Sequence, residues 1–66
     1  MLWWKVRKLT SELKSTSPTV REQALRQLAD LGGTKALHMI RSALADTSPS
    51  VRLAAVEVLD VSAHPE

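Results

Sequence analysis

The side chains able to do chemistry are few and scattered. His38 lies inside a helical pattern with no carboxylate or second histidine three or four residues away, and His64 lies in the tail. Two ligands on one helix face need that spacing, so a metal site is not expected. Cysteine is absent, which removes thiolate ligands and disulfides together. The serines fall at helix starts and turns, and no glycine-rich loop follows a strand to cradle a phosphate. No catalytic constellation and no cofactor site is expected.

What remains is recognition chemistry. Arg21 and Arg52 sit at equivalent positions of two similar segments, and fixed guanidinium forks of this kind suit carboxylates or phosphates, inside the fold or on a partner. Trp3 and Trp4 stand beside Lys5, Arg7 and Lys8. Neighbours on a helix point about 100° apart, so one indole is expected to join the apolar stripe and the other to stay exposed or cover the end of the helical array. An exposed Trp among cations suits a protein hot spot, a base or a lipid headgroup layer. Membrane docking would need a wider division between apolar and basic faces, and Glu12 interrupts the basic one.

Sixty-six residues make at most one small domain of marginal stability. With no Phe or Tyr, its core must come from Leu, Val, Ile, Ala and Met, a palette suited to close helix packing. The formal charge is +2, and Lys5, Arg7 and Lys8 account for more than the whole excess. The remainder is nearly neutral, which makes nucleic acid an unlikely partner. Met1-Leu2-Trp3-Trp4 is interrupted by cations before a membrane span or signal core can form, so a soluble, cytoplasmic protein is expected.

The chain repeats itself. Ser17-Pro18-Thr19-Val20-Arg21 returns as Ser48-Pro49-Ser50-Val51-Arg52, an offset of 31 residues. At that offset Leu13 matches Leu44, Thr16 matches Thr47, Ala24 matches Ala55 and Leu28 matches Leu59; Leu9/Ile40, Val6/Leu37 and Leu25/Val56 are conservative pairs. Ser17 and Ser48 are candidate N-caps, with Pro18 and Pro49 at the first helical position, where the missing N–H is no loss. Gly32-Gly33 supplies a left-handed stop, and Thr34 a cap for the next helix. The periodicity predicts helices at about 2–14, 18–31, 35–46 and 49–61. Leu2, Val6, Leu9 and Leu13 form the first stripe, and Val20, Ala24, Leu25, Leu28 and Leu31 the second. Leu37, Ile40 and Leu44 form the third, and Val51, Ala54, Ala55, Val56 and Leu59 the fourth. Two short helices and two tight turns per period make the unit of an all-α solenoid of antiparallel helix hairpins.

Asp46-Thr47-Ser48-Pro49-Ser50-Val51-Arg52, followed by Ala55, Val56 and Leu59, resembles the HEAT repeat, especially its short bacterial form found in phycobilisome lyases. The resemblance spans nearly the whole chain. It implies that Arg21 and Arg52 line up along the solenoid and bond turn carbonyls or acidic groups such as Asp46. The family's Asp is replaced by Ser15 in the earlier copy, which is expected to weaken the turn network there. The iron-binding His-Glu dipeptides of some HEAT-like enzymes are not matched by His64-Pro65-Glu66.

By the repeat offset, Thr34 aligns with Pro65, and the first helix aligns with the second helix of a unit. Residues 1–66 are therefore expected to form one segment of an incomplete array. The function this implies is a non-catalytic protein-interaction scaffold that engages a protein partner, or associates with itself through exposed repeat ends. Trp3, Trp4, Arg21, Arg52, Val56 and Leu59 are the candidate contact residues. The resemblance also leaves open a bilin lyase fragment and a nucleic-acid-binding solenoid.

Overall fold

The computed structural model describes the backbone of residues 3–63 and the side chains of residues 3–60; Leu2 and His64 lie outside the described residues. Four α-helices follow in order: α1 Trp3–Glu12, α2 Pro18–Leu31, α3 Thr34–Ser42 and α4 Pro49–Ala63. The expected all-α, repeat-built architecture is what forms. None of the described helices is long and apolar enough to cross a membrane.

The punctuation works largely as the residue types require. Ser17 takes an extended conformation (φ −85°, ψ 118°) and its Oγ accepts from the Val20 N–H at 3.4 Å, with Pro18 opening α2 behind it. In the second copy the Ser48 and Ser50 hydroxyls meet at 2.9 Å as α4 begins.

Gly32 ends α2, donating its N–H to Leu28 O. Its φ of 72° is positive as expected, but its ψ of −170° lies beyond the left-handed helical region, where glycine alone fits easily. Gly33, at φ 92°, then occupies the cap position of α3 without a side-chain bond. Thr34 is thus the first helical residue and not the cap, because two successive positive-φ glycines complete the reversal before it.

The second helix of each unit is shorter than its apolar pattern. α3 tightens into a 3₁₀ turn over Ala43–Ala45, with Asp46 N–H donating to Ala43 O at 3.1 Å. α1 closes the same way, through Lys14 N–H to Ser11 O and Ser15 N–H to Glu12 O, both 3.0 Å. Tighter bonds satisfy carbonyls that an α-helix end would leave open.

α2 and α4 make the most extensive contact, with α1 against α2 and α3 against both. Ala24, Ala54 and Ala55 are buried between them, so two backbones approach with little side chain in the way. Leu9, Leu25, Leu28, Ile40 and Val51 fill the centre. The buried stripe of α4 runs Val51, Ala54, Ala55 and Val58. Val58 replaces Val56 in that role, because Val56 lies about 140° around the helix from Val51. Val56 is 51% exposed, Leu44 is 42% exposed, and Leu59 and Val20 are half-buried.

A β-carbon at Gly32 would meet nothing within 4 Å, so its conformation is the sole obstacle to a larger residue. Gly32→Ala is expected to destabilise the chain by about 1–3 kcal/mol, read as a lower midpoint in urea followed by circular dichroism. An unchanged midpoint would show that the turn tolerates an ordinary residue.

Candidate functional site

Asp46 stands at the turn between α3 and α4, and three parts of the chain converge on it. Arg21, from α2, donates Nε to Oδ2 at 2.9 Å and Nη2 to Oδ1 at 3.0 Å, a two-pronged grip on the carboxylate. The Ser48 N–H donates to Oδ1 at 2.9 Å, fixing the turn. Arg52, from α4, donates Nη1 to the Asp46 backbone carbonyl at 2.7 Å. The Arg21 and Asp46 side chains are 12% and 14% exposed, so water screens them little. The hydrogen bond from Arg21 holds the Asp46 carboxyl below its ordinary range, aided by the Ser48 N–H, while desolvation opposes the shift.

The earlier turn follows the same plan with a neutral residue. Ser15 Oγ accepts from the Ser17 N–H at 3.1 Å, as Asp46 does from Ser48, and Arg21 Nη1 donates to Ser15 O at 2.6 Å. The substitution keeps the bond to the backbone N–H but leaves a weaker network, as expected from sequence, because Ser15 offers no carboxylate to receive an arginine. Arg21 is taken up inside the array, bonded to both turns. Arg52 holds the equivalent pose one unit later and is exposed; among the described residues no carboxylate accepts from its Nε or Nη2.

Around Arg52 the outer face of α4 mixes exposed apolar side chains with the carboxylates of Glu57 and Asp60. Arg52, Val56 and Leu59 follow at i, i+4 and i+7, with Leu53 (58% exposed) alongside Val56. The register mates of Val56 and Leu59 are Leu25 and Leu28, both 0% exposed on α2. Sequence reasoning missed Leu53, whose mate in the first copy is Glu22; the signal was its i+3 spacing to Val56.

Trp3 and Trp4 form a separate patch, 66% and 60% exposed. Neither joins the core, contrary to the expectation that one would, because α1 turns Leu9 inward instead. The Arg7 guanidinium lies 5.4 Å from the centroid of the Trp3 ring. His38 is exposed on α3, and among the described residues no group of three or more His, Asp or Glu is placed to hold a metal ion. A shallow groove between α2 and α3 is lined chiefly by apolar side chains, including Leu28, Ala36, Leu37 and Ile40.

The family model for HEAT repeats matches residues 6–66, nearly the whole of this helix-hairpin array. The chain belongs to the HEAT repeat family. Neither a curated protein nor a solved structure matches it. HEAT repeats serve generally as protein-interaction scaffolds. In this HEAT chain the clamp between Arg21 and Asp46 joins successive units, and the exposed register face of α4 lies one unit further along.

The sign of the Asp46 effect follows from its lowered folded pKa. Its contribution to stability is complete above the ordinary aspartate value, about 3.9, and is lost as the pH falls through the folded value. Asp46→Ala is expected to cost about 1–3 kcal/mol near neutrality. Asp46→Asn, which keeps an acceptor for Ser48, should cost less and flatten the acid limb of stability against pH. Urea melts of the three proteins between pH 2 and 7 measure both; parallel acid limbs would remove Asp46 from the account.

Proposed function

We propose that this HEAT-repeat chain is a non-catalytic protein-binding scaffold, with the outer face of α4 as its principal docking surface. The observation that carries the reading is the contrast at one register position: Leu25 is fully covered on α2, whereas Val56 is half exposed on α4 beside Leu53. Large apolar side chains that cluster at helical spacing beside an arginine form the core-and-rim pattern of a protein contact. Arg52, Val56 and Leu59 then touch the partner, together with Leu53. Trp3 and Trp4 supply a second contact, and Arg21 acts from behind by fixing the turn on which Arg52 leans.

The test uses immobilised chain and a lysate of its native cells. Proteins retained by the wild type and lost by the double variant Leu53→Lys/Val56→Lys would be identified by mass spectrometry and rebuilt from purified components. Binding of the purified partner is expected to weaken about thirtyfold or more on that substitution, the size of a hot-spot loss. Retention of the same proteins by both forms would end the assignment of this face.

A further inference from the structure

α1 and α3 meet at Thr10, whose Oγ1 donates to Val6 O at 2.8 Å and lies 3.4 Å from the Met39 sulfur. Beside that contact a groove of about 330 Å³ is lined by Trp3, Val6, Arg7, Thr10 and Lys14 on one side and by Lys35, at the start of α3, on the other. Trp3, Arg7 and Lys14 stand at i, i+4 and i+11, within about 40° of one another around the helix axis. Trp4 and Lys8 lie about 100° further round and do not line the groove, so a neighbour seated on them would leave it in place. The Arg7 guanidinium, 5.4 Å from the Trp3 ring centroid, restrains the indole while most of it stays exposed.

The cations here have no acid to answer them. Among the described residues the ion pairs are Arg21 with Asp46 and Arg26 with Glu57, and neither involves Arg7, Lys14 or Lys35. α3 contains no Asp or Glu, and Glu12 lies about 140° round α1 from Arg7. Like charges gathered in this way repel one another weakly through water, and an anion entering between them relieves the repulsion.

Resting on the protein-binding reading above, we propose that this groove binds a short, acidic, extended segment of a partner protein. Its carboxylates accept from Arg7, Lys14 and Lys35, and an apolar side chain packs on the Trp3 indole. Arg7 and Lys14 are about 10 Å apart along the helix axis, the span of about three extended residues, so acids at that interval reach both. The extent of the charge decides the class of partner. A nucleic-acid strand needs cations that continue along its phosphates, whereas Asp30, Glu57 and Asp60 are exposed elsewhere, and without Arg7, Lys14 and Lys35 the formal charge falls from +2 to −1. A bilayer needs a broad apolar face to insert, and the groove offers one exposed indole and a half-buried Val6.

The probe is a short fluorescein-labelled peptide of Asp, Glu and Leu, titrated with the full chain and read by anisotropy; a control peptide carries Asn and Gln in place of the acids. The acidic peptide is expected to bind at least about tenfold more tightly than the control, and less tightly as salt rises. Lys14→Glu/Lys35→Glu should weaken binding about tenfold, the size of two exposed charge contacts reversed. Trp3→Ala should weaken it by a similar factor and Trp4→Ala should leave it unchanged. These side chains are exposed, and circular dichroism checks that each variant folds. No binding, equal binding of the control, or indifference to Lys14, Lys35 and Trp3 would overturn the proposal. So would tighter binding of oligothymidylate or of phosphatidylserine vesicles that the same variants abolish, which would make a nucleic acid or a bilayer the occupant. Lysate partners that Leu53→Lys/Val56→Lys loses and Lys14→Glu/Lys35→Glu keeps would leave the protein-binding reading standing and remove the acidic segment.

Discussion

The carboxylate of Asp46 is the point at which two successive repeats become one structure. Hydrophobic burial brings α2 and α4 together but does not by itself choose their relative position, since burial is roughly proportional to area and has no direction. The grip of Arg21 on Asp46 has direction. It ties a side chain of the first Ser-Pro helix to the turn that starts the second, while the Ser48 N–H and the Arg52 guanidinium hold that same turn. Because both partners are largely shielded from water, separating them would leave a poorly solvated charge on each side. The offset between the units is held there.

Small residues make this geometry attainable. Ala24, Ala54 and Ala55 allow α2 and α4 to approach until Leu25, Leu28 and Val51 are fully enclosed. A larger residue at any of the three would move the helices apart and lengthen the reach asked of Arg21. Packing and the ion pair thus constrain the same distance from opposite ends of the interface. In so small a chain, where stability is a narrow margin between large terms, neither has much to spare.

Much of this was legible in the residue order, because the repeat states every position twice. The Ser-Pro starts, the glycine stop and the four helices follow from local chemistry, and local chemistry decides them. What sequence could not decide was which side of α4 has a neighbour. Val56 aligns with Leu25, so pattern alone assigns it to the core, yet α4 lacks on that side the cover α2 receives. Trp3 and Trp4 were similarly ambiguous, since hydrophobicity favours burial while the turn of α1 that buries Leu9 carries both indoles outward. Ser15 shows the converse: it reads as the loss of an acid, but a serine hydroxyl satisfies the same backbone N–H, and the fold of that turn is kept.

The difference between Gln23 and Gln27 on one side and Leu53 and Val56 on the other gives the chain a polarity in the sense that a ratchet has one. The side bearing Gln23 and Gln27 holds water through amide hydrogen bonds, whereas the side bearing Leu53 and Val56 loses little by shedding it. Burial is thus favoured on one long side of the chain and costly on the other.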